Sequence, residues 1–152
     1  MKKVLIAASS GGHLEEAMAL KPLKDYYQTV LITEKTEYGF QPWQDRCYLM
    51  PQLNRRKWKD VLRYPGVFVQ TYRILKKEKP DAVLATGAMI SFPALVLAKL
   101  MGIKTIFIEC MFNVTNGTAT GKLAYRFCDL FIVQWESMLQ VYPKAVLGGR
   151  VF

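Results

Sequence analysis

The chain has 152 residues, 51% of them hydrophobic, which suits one well-cored domain and is short for two of ordinary size. Its 21 Lys and Arg outnumber 12 Asp and Glu, and the formal charge of +9 favours an anionic partner: nucleic acid, a phosphorylated substrate or acidic lipid. Cys47, Cys110 and Cys128 are odd in number, widely spaced and without Cys-x-x-Cys pairing. That argues against a disulfide framework and a zinc site and for three reduced thiols.

Lys3 to Ala8 is a short apolar run closed by Ser-Ser-Gly-Gly, the pattern of a strand buried on both faces. The run is shorter than the apolar core of a secretory signal, so no export signal is expected. A helix should follow, with Leu14, Ala17, Met18 and Leu20 on its stripe and Glu15 and Glu16 in its first turn, where acidic side chains suit the helix dipole. Pro22 loosens its end. Gln28 to Thr33 and Arg46 to Met50 read as the next strands.

A long helical stretch then ends at Pro80, and Asp81 opens DAVLATG, an apolar strand breaking into a Thr-Gly turn. Ser91, a cap-like residue, and Pro93 introduce a helix that runs to Leu100 and stops at Gly102. KTIFIE (104–109), a helix around Lys122 to Phe127 and DLFIVQW (129–135) complete the alternation. The longest greasy stretch, Ile90 to Ile103, is broken by Pro93 and Lys99 and falls short of the roughly 20 residues of a membrane span.

Apolar strands alternating with helices predict an α/β fold: a Rossmann-like parallel sheet with helices on both faces, residues 1–152 forming a single domain. Ligands bind such sheets at the carboxyl ends of the strands. That rule gathers SSGGH, TGAM and IECMFN at one rim.

Three loops there could carry chemistry. Ser9, Ser10, Gly11 and Gly12 combine hydroxyls and approachable backbone with a helix N-terminus that favours an anion, and they lead into His13, the single histidine. The turn lacks the dinucleotide fingerprint and the P-loop lysine, and a competing reading has Ser10 merely capping the helix. Thr86 and Gly87 offer a second turn before a helix. Glu109 closes an apolar strand, where desolvation could raise its pKa toward a range useful for proton transfer; a helix cap or an ion pair with Arg126 is the alternative.

Residues 54–80 differ in kind. They carry nine Lys or Arg against Asp60 and Glu78, among them Arg55, Arg56, Lys57, Arg63, Lys76 and Lys77, with Trp58 and other aromatics interleaved. Val61, Tyr64, Phe68, Tyr72 and Leu75 recur at helical spacing, and Pro65 is expected to divide the stretch in two. A basic amphipathic segment with a tryptophan suits docking on an anionic membrane surface; an ordinary helix with a solvated basic face is the alternative. Nucleic acid is disfavoured, because the aromatics sit at core-like spacing and not on an exposed platform.

In order, SSGGHLEE, KEKPDAVLATGA, ALVLAKLMGIKTIFIE, TGKLAYRFCDLFIVQW and YPKAVLGG resemble the small subunit of two-subunit glycosyltransferases. That family includes the membrane-anchoring subunit of the GlcNAc transferase acting on dolichol-diphosphate GlcNAc, and bacterial counterparts in capsule and exopolysaccharide synthesis. The resemblance implies the N-terminal half of a GT-B glycosyltransferase whose donor-binding half is a separate chain, and the length leaves no room for a second domain. It further implies a peripheral protein of the cytoplasmic membrane face that holds a polyprenyl-diphosphate-linked sugar acceptor and needs no cofactor or metal. Ser9, Ser10, Gly11, Gly12, Thr86 and Gly87 would face the diphosphate, and His13, then Glu109, would be candidate bases in an inverting transfer.

Two departures stand out. Bacterial relatives often continue Ile-Glu with serine and an aromatic, where this chain has Cys110 and Met111. The eukaryotic subunit also has an N-terminal membrane helix, whose job would fall to the basic stretch here. Two rival readings remain: a non-catalytic scaffold that recruits an active partner to the membrane, and a free-standing nucleotide-binding enzyme.

Overall fold

A computed structural model describes residues 1–35, 39–52, 58–87 and 90–151, the side chains of 58–61 excepted. In chain order the elements are β1 (Lys3–Ala8), α1 (Gly12–Ala19), β2 (Gln28–Glu34), β3 (Arg46–Met50), α2 (Trp58–Glu78), β4 (Ala82–Thr86), α3 (Ser91–Leu100), β5 (Lys104–Ile108), α4 (Ala119–Ala124), β6 (Leu130–Val133) and β7 (Val146–Leu147). Short 3-10 turns cover Lys21–Asp25 and Glu136–Leu139.

The seven strands form one parallel sheet in the order β3-β2-β1-β4-β5-β6-β7. The chain winds outward from β1 to β3, then returns beside β1 with β4 and winds the other way. Loops leaving β1 and β4 therefore part to opposite faces, and a crevice opens at their carboxyl ends.

Alternate side chains on each strand point to opposite faces. Leu5, Ala7, Val30, Ile32, Val83, Ala85 and Phe107 pack beneath α2 and α3, which contribute Val67, Ile74, Leu75, Ala94, Leu95 and Ala98. Val4, Ile6, Ala8, Leu31, Leu84 and Ile108 pack beneath Leu14 and Ala17 of α1. Burial on both faces is why these strands read as unbroken apolar runs.

Four local expectations are corrected. Pro65 does not divide the basic stretch, for α2 runs through it as one helix. Pro65 is exposed, so water can serve the backbone group it leaves unpaired. The buried face of α2 carries Val67, Thr71, Ile74, Leu75 and Glu78, and Tyr72 is 43% exposed. Ser91 is the first residue of α3 and caps nothing there; its hydroxyl lies 3.0 Å from Ala7 O and 2.7 Å from Thr86 O, sharing one proton between them. Finally, α4 starts at Ala119, earlier than expected, because Thr118 Oγ1 accepts from Gly121 N at 2.8 Å and caps it.

The rotation of α2 follows from Glu78. Its buried carboxylate accepts from Tyr48 Oη at 2.5 Å, from Arg46 Nη1 at 3.0 Å and from Lys3 Nζ at 3.2 Å. Pulling Glu78 inward turns Tyr72 outward. Burial by itself would raise the Glu78 pKa, but the bonds from Tyr48, Arg46 and Lys3 outweigh it and hold it at about 2, against an ordinary 4.5.

The stabilisation from this carboxylate is complete above pH 4.5 and is lost as pH falls through about 2. Glu78→Gln should flatten the stability profile over that window and cost about 2 kcal/mol at pH 7, read from urea unfolding. Superimposable profiles for the two proteins would show that the cluster contributes nothing.

Candidate functional site

The first loop of the crevice follows β1. Gly11 has φ +80°, a left-handed conformation that glycine adopts without strain, and it stands at the N-cap of α1 with no side chain capping the helix. Ser10 is turned away from that role: its amide and hydroxyl donate to Glu34 Oε2 at 3.0 and 2.7 Å. The Ser9 hydroxyl is buried without a hydrogen-bond partner among the described residues. The capping alternative for Ser10 is thus not what the chain does.

The second loop follows β4. Thr86 Oγ1 donates to His13 O at 3.0 Å, and Gly87, at φ +81°, lies so close to the His13 ring that an added Cβ would overlap it. The two glycine turns meet across His13. Phe112, 69% exposed, borders the same place, with its ring 3.0 Å from where a Cβ of Gly12 would sit.

Behind His13 lies Glu16, one helical turn on and fully buried. Its Oε1 accepts from Met111 N at 2.7 Å and Gln134 Nε2 at 3.0 Å, which aims Oε2 at His13 Nδ1, 3.5 Å away. Neither Nδ1 nor Oε2 has a hydrogen bond of good geometry. Cys110 completes the group: ligand-type atoms of His13, Glu16 and Cys110 lie within 4.8 Å of one another. The Cys110 thiol first, and the Glu16 carboxylate second, favour the charged imidazole against the opposing effect of burial and lift its pKa to about 9. Closeness, not a well-formed bond, carries that shift, and His13 is a cation at neutral pH.

Glu109 is 1% exposed and fully engaged. Its Oε1 accepts from Cys110 N at 3.1 Å and Asn113 Nδ2 at 3.4 Å, and its Oε2 from Thr118 N at 3.2 Å and Tyr142 Oη at 2.9 Å. Among the described residues it makes no ion pair with Arg126, which is exposed. Burial and then the Glu109 charge push the Tyr142 hydroxyl well above its usual range. The carboxylate ties the loop after β5 to the start of α4 and to Tyr142.

The basic segment lies elsewhere. Arg55, Arg56 and Lys57 fall outside the described residues, as does the side chain of Trp58. Arg63, Lys76 and Lys77 are exposed on α2, which covers the sheet face opposite α1, so the structure separates them from the crevice. Leu62 and Val69 are exposed on the same helix and, with Arg63, Arg73 and Pro51, line a shallow groove of about 610 Å³. No helix among the described residues is long and apolar enough to cross a membrane.

Reading the sequence missed Glu16, Gln134 and Tyr142. Glu16 had a signal: it stands three residues after His13, which places both on one side of a helix. Gln134 and Tyr142 had none, since their roles come from strand order and the loop after β6.

Fold and crevice together define a class, a Rossmann-like α/β domain equivalent to the N-terminal half of a GT-B glycosyltransferase. The chain is similar to Acinetobacter baumannii MurG (TM-score 0.71, 18% identity, 90% of this chain and 43% of that one). It is also similar to UDP-N-acetylglucosamine 2-epimerase from Rickettsia bellii (TM-score 0.72, 18% identity, 94% and 41%), so it spans about two fifths of each. The family described as "Oligosaccharide biosynthesis protein Alg14 like" matches residues 60–151, and the chain belongs to that family.

Its relatives include the UDP-N-acetylglucosamine transferase subunit ALG14 of Rattus norvegicus, 33% identical over 97% of this chain and 82% of the rat protein. The Mus musculus subunit of the same name is 27% identical over 98% of this chain and 82% of its own length. A Staphylococcus aureus pyrophosphoryl-undecaprenol N-acetylglucosamine transferase is 34% identical over 57% of this chain and 23% of the enzyme.

The two left-handed glycines should respond differently to alanine. Gly11→Ala meets open space and should cost only the backbone penalty, about 1 kcal/mol. Gly87→Ala adds displacement of His13, so it should cost more and shift the His13 ring resonances by NMR. Equal costs and an unmoved imidazole would show that the turns do not share His13.

Proposed function

We propose that this chain is the acceptor-side subunit of a two-subunit, inverting glycosyltransferase, a bacterial counterpart of the ALG14-type subunit in capsule or exopolysaccharide synthesis. It binds a polyprenyl-diphosphate-linked sugar at the cytoplasmic membrane face and activates a separate subunit that supplies the nucleotide sugar. The carrying observation is the meeting of the turns after β1 and β4 around His13, at the point where the sheet's winding reverses. Relatives named as subunits of a UDP-N-acetylglucosamine transferase, and one named for a pyrophosphoryl-undecaprenol substrate, support the same reading.

In this proposal the acceptor diphosphate lies against the N-terminus of α1, where Gly11 and Gly12 let it approach the backbone and the helix dipole favours its charge. Ser9, whose hydroxyl has no partner among the described residues, and Thr86 with Gly87 border it. Ser10 joins only if its hydroxyl leaves Glu34. The acceptor sugar hydroxyl attacks the anomeric carbon of the donor, inverting it, and its proton must be taken up as the nucleoside diphosphate departs. His13 is the proposed acceptor of that proton, acting from the small neutral fraction that a pKa of about 9 leaves at neutral pH, with no metal in the reaction. Glu109, its oxygens shared among four donors, is the second candidate, and its contacts support a positioning role better than proton transfer.

His13→Ala in the reconstituted pair should lower the transfer rate at least 100-fold while leaving pair formation intact. His13→Lys separates the roles, because it restores a cation to the diphosphate but not the imidazole that would take the proton. Recovery in the lysine variant would assign His13 to charge alone, and near-normal turnover in the alanine variant would remove it from the chemistry. If the partner by itself transfers to a soluble short-chain acceptor at full rate, this chain is a scaffold and the proposal fails.

Docking is proposed along α2 and the stretch before it, with Arg55, Arg56, Lys57, Trp58, Arg63, Lys76 and Lys77 toward the lipid. The exposed Leu62 and Val69 beside exposed Arg63, Arg73 and Lys76 support that surface. Co-sedimentation with vesicles containing anionic lipid should fall about fivefold for each lysine or arginine neutralised and weaken with added salt. Unchanged binding after Arg55, Arg56 and Lys57 are all replaced would rule the segment out.

A further inference from the structure

The polar group behind His13 is more than a support for the imidazole. Glu16 is fully buried, and one of its oxygens is satisfied twice while the other, Oε2, has no hydrogen bond. His13 Nδ1 stands 3.5 Å from it, the two facing each other as an ion pair without a well-formed hydrogen bond. With the Cys110 sulfur they form one compact group, ligand-type atoms of the three residues lying within 4.8 Å of one another.

We propose that His13, Glu16 and Cys110 form a binding site for a borderline-soft divalent cation, zinc foremost. The donor set of one nitrogen, one oxygen and one sulfur is zinc chemistry and not that of magnesium or calcium, which take oxygen ligands alone. Zinc bonds of about 2.0–2.3 Å place ligand atoms about 3.3–3.8 Å apart, so the present group, within 4.8 Å, closes by a contraction of about 1 Å.

Charge balances as well. Neutral imidazole, carboxylate and thiolate sum to −2, which the ion cancels, and two protons, one from the imidazolium and one from the thiol, leave to solvent as the zinc–nitrogen and zinc–sulfur bonds form. The supports for such ligands are already built. Met111 N and Gln134 Nε2 hold the carboxylate through its other oxygen, and Gly87 packs against the imidazole ring. Three protein ligands leave a fourth position for water or for an oxygen of whatever fills the crevice. An ion here takes hold of His13, so the site is inhibitory to any chemistry that uses that side chain.

Binding is read on the isolated chain without partner or acceptor, so it stands or falls separately from the transferase reading. The metal-stripped protein is titrated with Co2+, whose bond to a thiolate gives a charge-transfer absorption in the near ultraviolet, and Zn2+ is then added as competitor. One equivalent of Co2+ should bind, show that band, and be displaced by Zn2+ but not by Mg2+.

Cys110→Ser should abolish the band and, like His13→Ala and Glu16→Gln, weaken Zn2+ binding at least tenfold. Gln134→Ala, which leaves all three ligands in place, should weaken it about tenfold. Circular dichroism and unfolding midpoints check that each variant is folded. A band that survives Cys110→Ser and disappears with Cys47→Ser or Cys128→Ser overturns the site. So does a folded wild type that fails to bind Zn2+, or binds it equally well after Glu16→Gln.

Discussion

Everything at the crevice depends on how β1 and β4 are held together where they end. Their registered pairing runs from Val4 opposite Ala82 to Ala8 opposite Thr86. At its end, the buried Ser91 hydroxyl reaches both Ala7 O and Thr86 O. This hydroxyl comes from the first turn of α3, so one side chain fixes that helix to both strands at the point where the winding reverses. The loops on either side then have little freedom. Thr86 donates to the backbone of His13, Gly87 closes on its ring, and the first turn of α1 is placed by contacts from β4 as much as by β1.

A second layer of order comes from two buried carboxylates. Glu16 reaches from α1 to Met111 and Gln134, and Glu109 reaches from the end of β5 to Asn113, Thr118 and Tyr142. Gln134 links the two, since its amide also donates to Glu109 O at 3.0 Å. Tyr142 is in turn packed against Phe131 and Tyr125, with ring centroids 4.5 and 4.9 Å apart. Charges this deeply buried are tolerated because nearly every oxygen has a donor, and a polar network so satisfied specifies one arrangement of its loops. The loop after β5 therefore owes its shape to polar contacts, where the sheet below it owes its shape to apolar ones.

That difference in origin explains what could be read from the sequence. The described strands of the parallel core were legible because burial on both faces leaves an unmistakable apolar run, as in Lys3–Ala8 and Ala82–Thr86. The crevice was legible at Gly11 and Gly87, whose left-handed backbones announce turns at strand ends. The rotation of α2 was not, because Glu78 overrides the aromatic spacing by drawing its own face inward. Nor was the grouping of His13 and Glu16 with Cys110. Its first two members lie one helical turn apart, but the third arrives from the far side of β4, and only strand order brings it there. Cysteine spacing carries no trace of such a site. The two-residue β7 and the Thr118 cap were similarly hidden, being set by the loops after β6 and β5.

Among the described residues, buried polar side-chain atoms that lack a hydrogen bond are unevenly placed. Three of them, on Ser9, His13 and Glu16, belong to the stretch from the end of β1 into α1, whereas the carboxylate of Glu109 nearby lacks nothing. A fold that satisfies Glu109 with four donors, and supports Glu16 Oε1 with two, could satisfy Oε2 as well, and a single hydroxyl in place of the thiol at residue 110 would offer one. His13 and Glu16 meet only as a loose ion pair at 3.5 Å and the Ser9 hydroxyl has no partner among the described residues, which leaves all three able to engage something that enters the crevice. Anion and metal cation call on different members of that set: Ser9 and the glycine amides suit the former, Glu16 and Cys110 the latter. His13 belongs to both, and the two cannot hold it at once.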